Sequence, residues 1–443
     1  MRTSTHIFFF SGAVLAALSA AAVTPTVTVS PPAQDAVTRR FTVSYSLSAP
    51  AVVTLEVLTN GQPVAASHVW GDVNRYVTND VGAIFWQPER DWPDNLLEEG
   101  TLSARVTAWP TNRLPDYMAI NLIAPSNVRF FASAAAVPGS VTNDRWKAEW
   151  LLMRKIPAAG VEWGMGLAYG EKASQSAEIA RLSNSPQVVL SEDYYLGVYE
   201  MTQGQFNLVT RRARDQYVSF TFNGSRVGLY GSALSPAECV SYRLLRVGTN
   251  DPPFTVNWPE TGHDVLGPSS VLQELRNLTG IAFDLPTEAQ WEFACRAGTT
   301  TARYDTAPLT NLAWFAENAA LPEQFPGLLA QYRTFPVGQK KPNAFGLYDM
   351  YGNVGEWCLD LIDGTLSYPG SYVVDPVGLS EGASDVGRVN RGGSCNFPAH
   401  LITSWRRAKD PITYTSYTTG FRPCCPARLP AYLTEQQEEG GAQ

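Results

Sequence analysis

Residues 342–357 read Pro-Asn-Ala-Phe-Gly-Leu-Tyr-Asp-Met-Tyr-Gly-Asn-Val-Gly-Glu-Trp. Gly346 and Gly352 suit positions that need a positive φ or a close approach of two backbone segments. Trp357 is large enough to supply core in a domain that lacks long helices, as are two further tryptophans, Trp291 and Trp405. Little after residue 300 is periodic, so this stretch predicts a domain of tight loops around an aromatic core.

The regular elements around this stretch are expected to be short. Residues 202–205 and 287–290 both have the capping-box form, in which a threonine hydroxyl and a glutamine amide satisfy each other's backbone donors. The second helix is expected to end at Gly298. Residues 270–278 predict a third helix, with leucines and a valine on one face and Gly280 as its stop.

A series of motifs resembles one protein family. Its members lie at 194–206, 285–299, 342–357, 388–394 and 420–422, in that order along the chain. They resemble the formylglycine-generating enzymes, or sulfatase-modifying factors. The resemblance implies a variant of the C-type lectin fold with little regular secondary structure, and we expect it to occupy residues 145–428.

The chain before this domain has a different pattern. Residues 40–47 and 53–58 alternate apolar with polar side chains, and Asn60-Gly61 after them is a hairpin signal. Further candidate strands follow at 82–86 and 102–109. This spacing predicts an immunoglobulin-like β-sandwich at 24–112, so the fold class expected for the whole chain is α+β.

The remaining segments are expected to be a connector and two ends. Three prolines fall between 110 and 125, which predicts a connector at 113–144. Residues 1–22 have the charged start, apolar run and small-residue end of a cleavable signal peptide. The acidic tail, 429–443, is expected to be disordered. A signal peptide predicts a secreted or periplasmic protein, with no membrane span once it is cleaved.

Charge and histidine content exclude several classes of site. The formal net charge is −8 and no basic run occurs, which argues against nucleic-acid binding. The four histidines form no H-x-x-x-H pair, so a zinc or non-haem iron triad is not expected. We expect His68, the only histidine of the sandwich, to have a structural or solvent-exposed role.

The resemblance also implies a catalytic site that this chain departs from. In the enzymes, two cysteines just past Arg-Gly-Gly-Ser bind copper(I) and the substrate thiol, and oxygen converts a sulfatase cysteine to formylglycine. The matching positions here are Phe397 and Ile402. Neither side chain offers a soft-metal donor, so copper is not expected. The alternative is a displaced site in which Cys395 pairs with Cys424 or Cys425.

A calcium site is also implied by the resemblance. The family holds one calcium ion through the residues that match Asp349, Gly352, Val354 and Glu356, by two side chains and two backbone carbonyls. Oxygen ligands of this kind suit a hard cation. The alternative is that Asp349 caps a turn and Glu356 pairs with an arginine. Gly355 replaces the family's usual tryptophan, a change that is expected to loosen the loop.

Three polar residues near the lost cysteine positions are candidate groove residues. His400 falls between the two positions, and Arg406 and Arg407 follow. The arginines could hold a carboxylate or a sulfate, although buried ion pairs are the commoner use of such side chains. A histidine in a loop, such as His400, is likewise more often a residue without a ligand role.

Three functions compete at this point. The first is a non-catalytic binding or scaffold module that acts on an extracytoplasmic protein or glycan. The second is a formylglycine-generating oxidase with displaced cysteines. The third is a structural component of the envelope. The identity of the ligand, the disulfide connectivity and the oligomeric state cannot be derived from the residues alone.

Overall fold

The computed structural model describes residues 24–64, 66–93, 102–166, 186–211, 221–222, 225–226, 232–247, 266–320, 332–362, 372–378, 387–430 and 432–433. The expected signal peptide and most of the expected tail lie outside these residues. The described part is a mixed α+β structure in which sheets dominate and helices are few and short.

Strands β1 to β9 form two sheets, here called the β domain. Their bounds are β1 Val27–Val29, β2 Ala33–Gln34, β3 Phe41–Leu47, β4 Ala51–Thr59, β5 Gln62–Val64, β6 Val69–Gly71, β7 Arg75–Val77, β8 Val81–Trp86 and β9 Leu102–Trp109, with helix α1 at Pro88–Asp91. One sheet has the order β1-β3-β8-β6, with β2 beside β3. The other pairs β4 with β5, β7 and β9.

The alternation of apolar and polar side chains along these strands explains why the two sheets pack face to face. Val43, Tyr45 and Ile84 from one sheet meet Val53 and Val106 from the other in a common core. The Asn60-Gly61 turn joins β4 to β5, and both residues have positive φ, as the sequence predicts. The described residues therefore contain a two-sheet β domain, whereas its immunoglobulin-like type stays a prediction.

The remaining strands belong to the C-terminal domain. They are β10 Tyr117–Asn121, β11 Val128–Phe131, β12 Trp150–Ile156, β13 Glu162–Gly164, β14 Gln187–Val189, β15 Tyr194–Gly197, β16 Thr221–Phe222, β17 Ser225–Arg226, β18 Gly355–Ile362, β19 Tyr372–Val374, β20 Gly387–Arg391, β21 Arg407–Asp410, β22 Thr419–Gly420 and β23 Cys424–Pro426. The largest sheet of this domain has the order β11-β10-β12-β15-β23, and a second has the order β21-β20-β18-β22.

Residues 113–144 are not a plain connector. Strands β10 and β11 lie in this stretch, and β10 pairs with β12 from Tyr117 to Asn121. The expected boundary at residue 145 therefore falls inside the C-terminal sheet. The two domains also touch, because the Phe130 amide donates to the Asn74 carbonyl at 2.8 Å and Val52 of β4 packs into the larger core.

The helices of the C-terminal domain follow their local signals. They are α2 Arg145–Ala148, α3 Gln203–Thr210, α4 Val271–Thr279, α5 Glu288–Arg296, α6 Leu309–Leu312 and α7 Ala316–Ala319. Both predicted capping boxes are present, at the starts of α3 and α5. Gly280 ends α4 in the left-handed conformation, as predicted, but Ala297 rather than Gly298 closes α5. Among the described residues, no helix is long and apolar enough to span a bilayer.

Candidate functional site

The loop after β20 carries the two positions at which the enzymes have cysteines. Gly392 and Gly393 turn the chain with φ of 91° and 73°. A Cβ on Gly393 would lie 2.7 Å from Ile402 Cδ1 and 3.4 Å from Phe397 Cδ2, so both side chains pack against this glycine. Ile402 is fully buried. The space that two sulfurs would need is filled by a phenyl ring and an aliphatic chain.

Backbone contacts close the same loop. The Ala316 amide donates to the Phe397 carbonyl at 3.0 Å. Arg303 donates from Nε to the Ile402 carbonyl at 3.2 Å and from Nη2 to the Ala399 carbonyl at 2.7 Å. The Ala399 carbonyl also accepts the Ile402 amide at 3.3 Å, which closes the short 3-10 turn Ala399–Leu401. The loop is therefore fixed by contacts to α7 and to the chain before α6.

Cys395 lies at the start of this loop, but it forms no sulfur pair. Its side chain is fully buried and its amide donates to the Asn353 carbonyl at 2.9 Å. Burial raises the pKa of the Cys395 thiol well above its usual value, and the charges of Glu238 and Glu200 raise it further. All six cysteines of the chain are buried. A protonated, enclosed thiol is a poor copper ligand and a poor nucleophile.

Glu238 is a neighbour of Cys395 that the sequence analysis missed. Its carboxylate accepts a hydrogen bond from Thr334 Oγ1 at 3.0 Å. Burial raises the pKa of Glu238 to about 7. Burial, followed by the charge of Cys395, raises the pKa of the half-buried Tyr417 to about 12. The negative charge of Glu238, once it forms, favours the Cys395 thiol over the thiolate.

Glu356 on β18 is already fully engaged with protein donors. Trp291 Nε1 donates to its Oε2 at 2.7 Å. Arg422 donates from Nη2 to Oε1 at 2.7 Å and from Nε to both oxygens at 3.1 Å. Both Glu356 and Arg422 are buried. This is the arginine pairing that the sequence analysis kept as the alternative to calcium.

The other three calcium candidates lie in the turn before β18. Asp349 has a φ of 54°, and its Oδ2 accepts the Gly338 amide at 2.6 Å, while its buried Oδ1 has no partner among the described residues. Burial raises the pKa of Asp349 to about 6. The Gly352 amide donates to the Gly392 carbonyl, and the Val354 amide donates to Glu200 Oε1 at 3.1 Å.

This donor set does not fit a calcium ion as the chain is folded. A calcium ion needs carboxylate oxygens with free lone pairs, and those of Glu356 are directed at Arg422 and Trp291. A cation would also have to sit beside a buried guanidinium. Calcium at this loop stays a prediction of the family resemblance that the geometry of the described residues does not support.

We expect calcium and a chelator to give the same melting temperature for the purified protein. A ligand that binds only the folded state would raise it by mass action. The measurement is a thermal melt of the wild type and of Glu356→Gln, each in calcium and in chelator. A calcium-dependent rise in the wild type that disappears in Glu356→Gln would show that Arg422 yields to the ion.

Gly355 makes room for a neighbouring side chain. A Cβ there would lie 2.1 Å from Asn390 Oδ1, and the Gly355 amide donates to the Thr418 carbonyl at 2.7 Å. The Asn390 amide thus takes the space that the first atom of a larger side chain would need. The expected loosening of the loop is not seen, since Gly355 is buried and paired in β18.

The three candidate groove residues do not share a surface. His400 is exposed at the tip of the 3-10 turn. Arg407 is buried and pairs with Glu288, which also binds Arg391 Nε at 2.7 Å. Arg406 is half-buried, and its carbonyl accepts a hydrogen bond from Arg391. Arg407 therefore belongs to a core ion-pair network and does not line an open groove with His400.

Two other features, Glu200 and the partner of His68, could not be derived from the sequence. Glu200 is fully buried, accepts Asn353 Nδ2 at 2.7 Å and has a pKa raised by burial and by the charge of Asp349. The sequence signal for Glu200 is its position as the single carboxylate in the apolar run 194–201. His68 has a partner, Asp91, at 2.7 Å from its Nδ1. Among the described residues, no group of three histidine, cysteine or acidic side chains is arranged to hold a metal.

Comparison with known proteins supports the family resemblance. The model of the family described as "Sulfatase-modifying factor enzyme 1-like domain" matches residues 155–425, more than half of the chain. The formylglycine-generating enzyme of Streptomyces coelicolor is 38% identical over 114 residues, which is 25% of this chain and 35% of that protein. The enzyme of Thermomonospora curvata is 33% identical over 155 residues, which is 29% of this chain and 50% of that protein.

Other relatives carry different names. A protein named "Chaperone protein LppX" from Paenibacillus barcinonensis is 29% identical over 189 residues, which is 40% of this chain and 66% of that protein. The matched regions thus span between about a third and two thirds of these three relatives. Among solved structures, PvdO from Pseudomonas aeruginosa is 19% identical, with 62% of this chain and 94% of that chain covered and a TM-score of 0.46. Treponema denticola variable protein 1 is 25% identical, with 65% and 96% covered and a TM-score of 0.41.

The family model covers the C-terminal domain from the end of β12 into β23, and the ordered motifs, from 194 to 422, lie within that range. The chain therefore belongs to the sulfatase-modifying factor family, the family of the formylglycine-generating enzymes.

Proposed function

We propose that this protein is a non-catalytic binding or scaffold member of its family that acts on an extracytoplasmic protein or glycan. The observation that carries the proposal is the packing of Phe397 and Ile402 against Gly393 at the positions of the family's cysteine pair. Copper(I) chemistry on a substrate thiol needs two thiolates there. Hydrocarbon side chains bind no metal in any conformation of the loop.

The buried thiol of Cys395 supports the same proposal. It would have to lose its proton, and the acidic groups Glu238 and Glu200 beside it work against that loss. Its expected partners for a displaced site, Cys424 and Cys425, lie on β23, where they pair with Leu196 and Tyr195 of β15 in the interior of the main sheet. All three thiols are enclosed.

The place of action rests on the expected signal peptide at residues 1–22, which predicts a secreted or periplasmic protein. The C-type lectin-like variant fold, which the family resemblance implies, would supply the platform for binding. A protein or a glycan is proposed as the partner because the net charge of −8 disfavours nucleic acid.

The test is an oxidation assay with the full chain. Purified protein is incubated with copper(I), oxygen and a cysteine-containing sulfatase peptide, and the peptide is analysed by mass spectrometry. The formylglycine-generating enzyme of Streptomyces coelicolor serves as the positive control. We expect the wild type to leave the peptide thiol intact, because the loop offers no sulfur ligand.

Two variants sharpen the outcome. Phe397→Cys combined with Ile402→Cys returns two sulfurs to the loop, and copper(I) binding by this variant but not by the wild type supports the proposal. Turnover by the wild type that is lost in Cys395→Ala would establish the displaced-cysteine oxidase instead.

A further inference from the structure

One sheet of the β domain presents an uncharged row of side chains on its outer side. In the β1-β3-β8-β6 sheet, alternate side chains enter the core and the others face outward. The outward set, from the burial pattern of each strand, is uncharged throughout: Thr28, Thr42, Ser44, Ser46, Trp70, Val81, Ala83 and Phe85. We call these eight residues the outer face.

Two aromatic rings lie side by side on this face. Trp70 on β6 is directly opposite Phe85 on β8 in the strand register. Their ring centroids are 5.9 Å apart and their planes are inclined by 32°. Trp70 is 43% exposed and Val81 is 69% exposed. Contiguous exposed apolar groups of this kind mark a binding surface on a folded protein.

Hydroxyl groups continue the row of rings across the sheet. Phe85 is opposite Thr42 on β3, Ala83 is opposite Ser44, and Val81 is opposite Ser46. The face thus offers aromatic rings at one edge and small hydroxyl donors and acceptors beside them. Side chains directly opposite each other on one sheet face have Cβ atoms about 5 Å apart, so the rings and hydroxyls form a continuous row.

Among the described residues, the cation at this face is Arg40, which also interacts with the exposed carboxylate of Asp35. The Arg40 guanidinium carbon is 4.7 Å from the centroid of the Phe85 ring. Its Nε is buried and has no hydrogen-bond partner among the described residues. The nearby carboxylate of Asp72 is paired with Arg75, so it does not place an unpaired negative charge on the face. In a chain with 41 acidic residues, this surface contains no acidic side chain.

We propose that the outer face binds a neutral polysaccharide through Trp70 and Phe85. The CH groups of a pyranose ring pack on aromatic faces, and its hydroxyls can bond to the serine and threonine hydroxyls of the face. A neutral ligand matches this face because its eight side chains are uncharged and the nearby Asp72 carboxylate is already paired with Arg75. The proposal goes beyond the proposed function, since this surface is on the β domain and does not involve the 397–402 loop.

Other occupants fit this surface less well. A partner strand would add to the edge strand β6, but β6 has only three residues and offers few backbone groups. A second copy of the chain would favour a more apolar patch than a face that is half serine and threonine. Charge, hydroxyl content and ring geometry therefore favour a glycan.

Affinity electrophoresis of the full chain tests the proposal. Native gels contain xyloglucan, mixed-linkage glucan, galactomannan or glycol chitin, and retardation is measured against polymer concentration. We expect retardation by at least one of these polymers. Removal of one stacking ring in Trp70→Ala should weaken it by about tenfold or more, and Trp70→Tyr, which keeps a ring, should retain most of it.

The matched control is Tyr372→Ala, which removes an aromatic ring that is 56% exposed on β19 of the other domain. It should leave retardation unchanged. No retardation by any of the four polymers, or retardation that Trp70→Ala does not alter, would overturn the proposal. Loss of a concentration-dependent dimer in Trp70→Ala would assign the face to a second copy of the chain. None of these results depends on the oxidation assay.

Discussion

Arg422→Met is expected to lower the free energy of unfolding by about 3–5 kcal/mol, the cost of leaving one partner of a buried ion pair alone. Arg422 is fully buried and binds Glu356 through both Nε and Nη2. Its Nη1 and Nη2 also donate to the carbonyls of Gly197 and Tyr348, at 2.9 and 2.8 Å. One side chain therefore joins β15, β18 and the loop before β18.

The direction of the Arg422 pKa shift shows whether burial or the neighbouring carboxylates have the larger effect on this side chain. Burial is the largest single effect and would lower the pKa, but the neighbouring carboxylates, Glu356 first among them, together outweigh burial and the pKa is raised. Glu200 and Asp349 add to the negative charge around the guanidinium. Without Arg422, three buried carboxyl groups would remain with no guanidinium beside them.

The loss of stability in Arg422→Met should depend on pH. In this variant, the pKa of the buried Asp349 is expected to lie further above its unfolded value, because burial already raises it to about 6 and Arg422 no longer lowers it. Stability of the variant should then fall as the pH rises through that raised pKa, and the deficit should be smaller at pH 5 than at pH 8. Urea unfolding at both pH values measures this difference.

Arg428→Met is the matched control. Arg428 is also ion-paired, with Glu192, but its side chain is 60% exposed. Its loss should cost less than about 1 kcal/mol, as for other surface pairs. Partial recovery of stability when Glu356→Gln is added to Arg422→Met would support the pairing. An Arg422→Met variant as stable as the Arg428→Met variant would contradict it.

Gly352→Ala is expected to destabilise the protein by about 2–5 kcal/mol, because a left-handed conformation and a steric clash act together. Gly352 has a φ of 73°, and a Cβ there would lie 2.0 Å from the Trp314 carbonyl oxygen and 2.8 Å from its carbon. These are backbone atoms, so they cannot rotate away. The same carbonyl accepts the Asn353 amide at 2.8 Å.

Gly160→Ala separates the two causes. Gly160 has a φ of 72°, almost the same as Gly352, but nothing lies within 4 Å of its would-be Cβ. Its replacement should cost only the conformational strain, about 1–2 kcal/mol. Urea unfolding of both variants gives the difference due to the clash. Equal losses would mean that the turn at Gly352 opens without resistance from Trp314.

Local signals predicted the elements that depend on neighbouring residues. The capping boxes at Thr202 and Thr287 form as expected, because a cap and the donors it satisfies are three residues apart. The Asn60-Gly61 turn and the strands that flank it follow from the same kind of short-range pattern. Strand partners did not follow, and β10 and β11 joined the C-terminal sheet although their sequence indicates a connector.

The sequence by itself determined what the 391–402 loop cannot do, since residue identity alone shows that Phe397 and Ile402 offer no metal donor. It could not decide what Glu356 and Arg407 do. Their partners, Arg422 and Glu288, are 66 and 119 residues away along the chain. A carboxylate binds a metal cation, pairs with an arginine or is hydrated by solvent, depending on which of these lies within about 3 Å. Only the tertiary structure sets that distance.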